Sequence, residues 1–383
     1  MPAASTGGRR AYIDWTRGLA VLLMIEAHSL DAWTRPSARH SLAFGRAMVL
    51  GGFAAPLFLW LAGISMALSA ARLSSRVRQR APAVETICRR GLEVFLLAFL
   101  FRLQAFLVSP GSYFVTVFRV DILNIMGPAL VAAGLLWSLS ERPAGRSLVY
   151  AVAAATIGLV TPIVRASRLV DALPLWLQWY ARPSGDYTTF TLFPWAGFVF
   201  AGAACGALLA GIDDPRQERR RQLAFAAAGV ALVVLGLYTS TKPSIYAHSE
   251  FWSSSPTWFA IRVGVMMVGF STIYGLEWMA ARFGVTCRPL ERFGRHSLFV
   301  YWIHVELVYG YLSWPWRAKL PFGWAVAACA VFSMLMYGAV ALKDGLVGRW
   351  REATPAWSRR LAGMWSSRAW SNSLASGMSE GQE

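Results

Sequence analysis

Charged residues are scarce in this sequence. They make up 15% of the 383 residues, whereas a soluble domain carries roughly 25%. Hydrophobic residues make up 56%, with 18 Trp and 22 Phe, and many of them stand in long apolar runs. The shortage of charge and the long runs together exclude an ordinary soluble domain and indicate a polytopic membrane protein. A cleavable signal peptide is not expected, because the first apolar run contains polar residues and no small-residue cleavage site follows it.

The sequence also lacks the common signatures of metal and cofactor sites. Its four cysteines have spacings that fit neither a metal site nor a disulfide framework; they are Cys88, Cys205, Cys287 and Cys329. It contains no GxGxxG, P-loop or HExxH motif, so no metal is expected. The formal net charge of +17 comes mostly from arginines in loops. This placement favours membrane lipid rather than nucleic acid as the partner of the basic residues.

Ten apolar segments are long enough to cross a membrane. They cover residues 15–34, 47–71, 87–108, 120–140, 147–165, 188–212, 222–240, 256–280, 296–313 and 322–343. The apolar part of the region 166–187 is too short to cross, which predicts an interfacial or re-entrant helix there. The sequence therefore predicts an all-α membrane bundle of about ten transmembrane helices.

The basic residues predict the orientation of this bundle. With the N-terminus inside, 25 of the 37 Lys and Arg residues fall in the inner loops and termini and ten fall in the outer loops. The positive-inside rule requires this bias, so we expect a multi-pass protein of the inner (plasma) membrane with both termini in the cytoplasm. Residues 1–350 are expected to form a single transmembrane domain. Residues 351–383, which contain Ser, Trp and Arg, are expected to form a cytoplasmic tail that is poorly ordered or lies on the membrane surface.

The first segment carries ionisable groups near both of its ends. Asp14 and Arg17 lie at its cytoplasmic end and His28 lies in its outer half. Such groups are costly in a bilayer and are retained mostly where they pair, bind or react. Arg17 and His28 are eleven residues apart, which places them on nearly the same helix face at a separation of about 16 Å along the axis. Asp14 and Arg17 also have the i, i+3 spacing of a simple ion pair, and Gly18 allows another helix or a ligand to come close.

A second group of polar residues falls at the same outer depth as His28. Asp121 and Asn124 open the fourth segment, and Arg102 and Arg262 lie in the outer halves of the third and eighth segments. Ionisable groups at one depth of the membrane indicate either a functional site or a buried salt-bridge network that only holds the helices together.

The ninth segment follows Arg295 and places Ser297, Tyr301 and His304 on one helix face. His304 falls in the middle of the membrane and has either a packing or a catalytic role. Because it lacks the acidic neighbours expected for His28, it is the natural control for mutations of His28.

Five stretches of the sequence carry a family resemblance. They are Ile13-Asp14-Trp15-Thr16-Arg17-Gly18 with His28, Leu61-Ala62-Gly63-Ile64-Ser65, Arg119-Val120-Asp121-Ile122-Leu123, Leu192-Phe193-Pro194-Trp195, and Gly294-Arg295-His296-Ser297-Leu298-Phe299-Val300-Tyr301-Trp302-Ile303-His304. The set resembles the bacterial relatives of heparan-α-glucosaminide N-acetyltransferase, which belong to the transmembrane acyltransferase superfamily. The first stretch is shared with acyltransferase-3 and glucan-succinylating proteins, whereas the set of five is more specific. The five stretches spread over about residues 15–310, which is most of the chain.

The resemblance implies a helical bundle that passes an acetyl group from cytoplasmic acetyl-CoA to a sugar amine or hydroxyl outside. His28 matches the catalytic histidine of the family, as a base or as an acyl carrier. The hypothesis gives catalytic roles to His28, Asp121 and Asn124, acetyl-CoA contacts to Asp14, Arg17, Arg295 and Ser297, and acceptor contacts to Arg102, Arg119, Arg262 and His304. The lysosomal enzyme has a luminal extension that this chain lacks, so heparan itself is not the expected acceptor.

Two other functions stay open at this stage. A transporter or flippase would use the same polar core as a permeation path, although transporters usually have discontinuous helices that meet at the membrane midplane. A sensor or scaffold would leave the alignment of Arg17 and His28 unexplained. The expected partners are acetyl-CoA, a sugar or glycan acceptor and membrane lipid. The acceptor, the acyl group and the oligomeric state stay open, with a homodimer as one option.

Overall fold

The computed structural model describes residues 10–77, 81–108 and 113–353. Within these residues the chain forms thirteen α-helices and no β-strand, which confirms the all-α prediction. The helices are α1 (Ala11–Trp33), α2 (Leu42–Gly51), α3 (Ala54–Val77), α4 (Ala81–Val108), α5 (Ile122–Trp137), α6 (Pro143–Ala166), α7 (Leu175–Ala181), α8 (Leu192–Leu209), α9 (Pro215–Ser240), α10 (Pro256–Arg282), α11 (Arg288–Arg295), α12 (Ser297–Tyr309) and α13 (Phe322–Ala353).

Each of the ten predicted segments coincides with at least one of these helices. In the described part of the chain, seven stretches are long and apolar enough to cross a membrane. They are Leu42–Ser75, Ala81–Val108, Pro143–Ala166, Leu192–Leu209, Pro215–Ser240, Pro256–Arg282 and Phe322–Trp350. Helices α5 and α12 are apolar but shorter, with 16 and 13 residues, and α1 is not among the seven. A multi-pass membrane protein is therefore confirmed, while the count of ten spans and the orientation of the termini stay predictions.

Two regions depart from a simple row of long helices. The second predicted segment is divided, because α2 ends at Gly51 and α3 begins at Ala54. The region between α6 and α8 contains the seven-residue helix α7. This confirms that the apolar part of residues 166–187 is too short to cross, while its position at the membrane interface stays a prediction.

Helix α8 lies in the core of the bundle and packs against α3 and α6. Its contact with α3 depends on two glycines. A Cβ atom on Gly63 would lie 2.0 Å from the carbonyl oxygen of Val199, and a Cβ atom on Gly202 would lie 1.9 Å from that of Trp60. Glycine at both positions lets the two backbones touch, and the inner part of the fold is fixed by this contact.

The chain divides into two compact units, Met1–Val331 and Phe332–Glu383. All residues of the candidate site belong to the first unit. The described part of the second unit is the continuation of α13 to Ala353. The predicted tail lies mostly outside the described residues, so its order and the domain division at residue 350 stay predictions.

Candidate active site

A large cavity runs along α1 within the first unit. Its volume is about 1170 Å³, above the roughly 300–1000 Å³ of an ordinary ligand pocket. Where α1 begins, the cavity is lined by Arg17, Ser65, Ser69, Thr86, Arg89, Arg90, Glu93 and Ser297. Where α1 ends, it is lined by Asp31, Arg102, Arg119, Asp121, Thr189, Glu306, Tyr309 and Arg317. We call these the Arg17 end and the Asp31 end. His28 lines the cavity one helical turn before Asp31.

His28 and His304 are hydrogen-bonded to each other. Nδ1 of His28 lies 2.8 Å from Nε2 of His304, and the two rings are nearly parallel. Nδ1 of His304 in turn lies 2.8 Å from the carbonyl oxygen of Val300 and 2.9 Å from that of Tyr301. A carbonyl oxygen only accepts, so Nδ1 of His304 carries its proton and Nε2 is the acceptor of a neutral ring. His28 therefore donates from Nδ1, and in a neutral His28 ring Nε2 keeps a lone pair.

This pairing corrects one assumption of the sequence analysis. His304 is fully buried and is bonded to His28, so it is not an independent control histidine. It also lies outside the residues that line the cavity, a position that does not favour direct acceptor contact. The hydropathy of the sequence predicts that both histidines lie inside the membrane. It does not predict that α12 packs against α1, because a local sequence pattern carries no information about contacts between distant segments.

Asp31 and Tyr309 complete the surroundings of His28. The Tyr309 ring meets the His28 ring edge to face, with a centroid distance of 5.7 Å. The Tyr309 hydroxyl donates to Oδ2 of Asp31 at 3.1 Å. The sequence analysis missed both residues, although Asp31 follows His28 by one helical turn and lies on the same face. A carboxylate at this position favours positive charge that develops on the imidazole.

Asp121 and Asn124 form a capping box at the start of α5. Oδ1 of Asn124 accepts from the backbone N–H of Asp121 at 2.9 Å, and Asn124 is fully buried outside the cavity lining. Oδ2 of Asp121 pairs with Nη2 of Arg102 at 2.5 Å. The structure therefore brings Asp121 and Arg102 together at the Asp31 end. Asn124 does not line the cavity and only holds the backbone of Asp121 through its hydrogen bond.

Arg119 also lines the Asp31 end. Its Nη2 donates to the hydroxyl of Thr189 at 2.9 Å. Burial, and then the neighbouring Arg102 guanidinium, lower the pKa of Arg119 from its ordinary value. Burial and a like charge both disfavour the charged form of Arg119, so an additional polar or anionic contact would stabilise its guanidinium.

Arg262 has a different position from the one expected. It does not line the cavity. Its Nη1 donates to the carbonyl oxygen of Gly52, and its guanidinium lies 4.7 Å from the ring centre of Phe53 and 4.5 Å from that of Trp258. These contacts fasten the junction between α2 and α3 to α10, which is a structural role.

The residues expected to contact acetyl-CoA fall into two groups, those that line the cavity and those that do not. Arg17 lines the cavity and donates from Nη2 to the Ser65 hydroxyl at 2.9 Å. Its Nη1 lies 3.1 Å from Oδ1 of Asp14, which confirms the i, i+3 pair. Arg295 lies 3.9 Å from Oδ2 of Asp14 and also pairs with Glu291. Asp14 and Arg295 stand outside the cavity lining, where they hold α11 against α1.

The contact between α1 and α11 is made by two glycines. A Cβ atom on Gly18 would lie 2.0 Å from the carbonyl oxygen of Leu290, and one on Gly294 would lie 2.0 Å from that of Asp14. The prediction that Gly18 allows close approach is confirmed, and the partner is a helix. Because α12 follows α11 directly, this contact helps to set the position of Ser297, which lines the cavity.

Sequence reasoning missed several other lining residues. Arg89 and Arg90 lie 3.8 and 3.1 Å from carboxylate oxygens of Glu93, and they had been counted only as orientation charges. Glu306 lies inside an apolar segment with no local signal of its position. Within the described residues, no group of three or more His, Cys, Asp or Glu side chains is placed to hold a metal ion.

Comparison with known proteins agrees with the family resemblance. No match was found among curated proteins. The family model described as "Heparan-alpha-glucosaminide N-acetyltransferase, catalytic" matches residues 9–248, which is well over half of the 383 residues. The matched part contains α1 with His28, the start of α5 and the basic residues of α4. The chain therefore belongs to the heparan-alpha-glucosaminide N-acetyltransferase catalytic family, a family of membrane acetyltransferases.

Proposed function

We propose that the protein transfers an acetyl group from acetyl-CoA at the Arg17 end to an amine or hydroxyl of a sugar or glycan at the Asp31 end. The observation that carries this proposal is the single cavity that joins the two ends and is lined by His28 between them. Family membership supports acetyl transfer. The arginine bias supports a cytoplasmic Arg17 end and a plasma-membrane location, so donor and acceptor would enter from opposite sides.

The Arg17 end has the side chains that a CoA phosphate requires. Arg17, Arg89 and Arg90 line the cavity there together with the Ser65 and Thr86 hydroxyls. Guanidinium groups bind phosphate oxygens through paired, charge-assisted hydrogen bonds.

The wall between the Arg17 end and His28 suits the remainder of the donor. It includes the apolar residues Met24, Phe58, Met66 and Leu97. The uncharged arm of CoA would lie along this wall and bring the thioester to His28. The separation of about 16 Å between Arg17 and His28 along α1 sets how far the arm must reach.

A neutral His28 ring that donates from Nδ1 to His304 keeps the Nε2 lone pair that acyl transfer requires. Its Nε2 lone pair can take the proton of the acceptor while the acceptor attacks the thioester carbonyl; the C–S bond breaks and the CoA thiolate receives a proton. In the covalent route, Nε2 attacks the carbonyl and CoA leaves as the thiolate, which gives an acyl-imidazolium; the acceptor then attacks the acyl carbon, the bond to Nε2 breaks and restores its lone pair, and the acceptor's proton passes to the CoA thiolate. Positive charge develops on His28 in both routes, and the bond to His304 together with the nearby Asp31 favours that charge.

A transporter would also need a cavity that reaches both ends of the bundle. The two functions separate in detergent solution, where there are no compartments. Purified protein is incubated with acetyl-CoA and a panel of sugars and amino sugars, and free CoA and acetylated product are measured. We expect both to form, and we expect CoA or acetyl-CoA to raise the melting temperature.

The matched variant is His28→Ala. It should keep the thermal stabilisation by acetyl-CoA and lose about 10²–10⁴-fold in transfer as the loss of a general base, or more if His28 carries the acyl group. Failure of wild-type protein to bind acetyl-CoA and to form acetylated product would overturn the proposal.

A further inference from the structure

Two arginines at one end of the α9–α10 pair lie beside the same tryptophan ring. The guanidinium carbon of Arg219 lies 5.7 Å from the ring centre of Trp278, and that of Arg282 lies 4.8 Å from it. Both distances fit a cation–π contact. Arg219 lies in the second turn of α9, and Arg282 is the last residue of α10. We call Arg219, Trp278 and Arg282 the Trp278 cluster.

The two arginines of the Trp278 cluster are not neutralised by a carboxylate. Neither guanidinium forms an ion pair with a carboxylate of the described residues, and this includes Glu277, which precedes Trp278. The neighbouring Glu218 instead pairs with Arg10, and it also accepts from the Tyr12 hydroxyl at 2.6 Å. The cluster therefore holds two positive charges that an anionic ligand can neutralise.

The Trp278 cluster lies on the outer surface of the bundle. None of its three residues lines the cavity. Trp278 is 45% exposed, and both arginines are exposed. The cluster stands at one end of two stretches that are long and apolar enough to cross a membrane, Pro215–Ser240 and Pro256–Arg282. At this level of a bilayer, tryptophan rings and basic side chains meet the lipid headgroups.

An exposed apolar stripe continues from the cluster along α9. Leu223 and Val230 are exposed and follow Arg219 by four and eleven residues, which places all three on one helix face. From Arg219 to Val230 the stripe is about 16 Å long. This length matches one leaflet, since the hydrocarbon core of a bilayer is about 30 Å thick. A positive cluster at the end of such a stripe is complementary to a phospholipid, which has a headgroup phosphate and acyl chains of about that length.

Helix α9 is attached to the bundle mainly through α10. The two helices touch near their middles, where a Cβ atom on Gly264 would lie 2.5 Å from the carbonyl oxygen of Gly229. A ligand bound by Arg219 of α9 and Arg282 of α10 would join the two helices at their ends as well. Such a ligand would therefore stabilise the folded protein.

We propose that the Trp278 cluster and the apolar stripe bind one anionic phospholipid. The headgroup phosphate accepts hydrogen bonds from the guanidiniums of Arg219 and Arg282, and an acyl chain lies along Leu223 and Val230. A zwitterionic lipid fits less well, because the ammonium group of its headgroup is repelled by the two arginines. This inference does not depend on the proposed function, because it uses no residue of the cavity.

The test uses purified full-length protein in neutral detergent, freed of lipid, with phosphatidylglycerol and phosphatidylcholine of identical acyl chains as probes. Native mass spectrometry measures the number and affinity of bound lipids, and thermal unfolding measures stabilisation. We expect wild-type protein to bind one phosphatidylglycerol more tightly than phosphatidylcholine and to melt at a higher temperature with it. The double substitution Arg219→Ala and Arg282→Ala should weaken phosphatidylglycerol binding by about ten- to thirtyfold. Trp278→Leu keeps both charges and should weaken it by about two- to fivefold.

The matched control is the double substitution Arg220→Ala and Arg221→Ala. It removes two positive charges from the same turn of α9, but these residues point to other sides of the helix than Arg219, and in the described structure neither lies over an aromatic ring. This variant should weaken phosphatidylglycerol binding much less. Glycerol 3-phosphate, which has the phosphate but no acyl chain, should not raise the melting temperature at the same concentration.

Several results would overturn the inference. Equal affinity of wild-type protein for the two lipids would do so, as would an equal loss in the control variant, which would mean that only the general positive charge of this end matters. Stabilisation by glycerol 3-phosphate would indicate a phosphate site and not a lipid site. A lipid-free wild-type dimer that dissociates on substitution of Arg219 and Arg282 would mean that a second copy of the chain covers this surface. If the double variant does not fold, Trp278→Leu decides, and unchanged phosphatidylglycerol binding in it contradicts the proposal.

Discussion

Substitution of His304 should slow the reaction although His304 does not line the cavity. His304→Ala removes the acceptor of the His28 Nδ1–H donor, which is 2.8 Å away. In the proposed transfer that donor belongs to a ring that gains positive charge in the transition state, so the bond would be charge-assisted. Such a bond contributes about 1.5–3 kcal/mol, which corresponds to a fall in kcat of roughly ten- to a hundredfold. His28→Ala should cost more, because in the proposed mechanism it removes the reacting nitrogen itself.

The assay measures free CoA at saturating acetyl-CoA and acceptor, together with the melting temperature. We expect a lower kcat with little change in either KM, because His304 lies outside the cavity lining. His304→Gln keeps an acceptor oxygen and should restore part of the rate. The double variant of His28 and His304 should be no slower than His28→Ala alone, because the two residues act as one unit.

Two results would refute this reasoning. The first is a wild-type kcat in His304→Ala, which would mean that the bond seen in the structure has no part in the reaction. The second is a double variant whose loss equals the product of the two single losses, which would mean that the two histidines act independently.

Three further predictions address the donor site, the helix packing and the topology. Arg17→Ala should weaken CoA binding about ten- to a hundredfold by calorimetry, whereas Arg295→Ala, which is outside the cavity lining, should leave it nearly unchanged; an equal loss would place α11 in the donor site. Gly294→Ala should lower the free energy of unfolding by about 1–3 kcal/mol, because its Cβ would lie 2.0 Å from a backbone oxygen of α1. Gly275→Ala, which meets nothing within 4 Å, is the control and should not lower the melting temperature. A cysteine placed at the exposed Ser75 should react with an impermeant reagent only after the cells are opened, and labelling of intact cells would reverse the orientation.

The helices of this protein could be predicted well because their signals are local. Long apolar runs gave the segments that became helices, and the short run between residues 166 and 187 was recognised as too short to cross. The face shared by Arg17 and His28 also follows from helix geometry within one segment. Both residues do line the same cavity.

The contacts between helices that are far apart in the sequence could not be predicted in the same way. His28 and His304 are separated by 276 residues, and depth in the membrane does not tell which helices touch. Depth also does not tell which way a side chain faces. Asp14 and Arg295 share the level of Arg17, yet they hold α11 to α1 and do not line the cavity. Glu306 could not be found at all, because a single carboxylate in an apolar run gives no indication of what it faces.

Helix α1 fixes the distance between the donor-binding end and the reacting end of the proposed site. The same helix carries Arg17 at one end of the cavity and His28 near the other. The distance between the proposed phosphate-binding residue and the proposed reacting residue is therefore fixed by eleven residues of helix. One inserted residue would move His28 by about 1.5 Å and turn it by about 100°. A thioester on a carrier too short for this span could engage the arginines or the histidine, but not both. Such a donor would lose turnover as well as affinity, because the binding energy of the remote phosphates would no longer position the acetyl group.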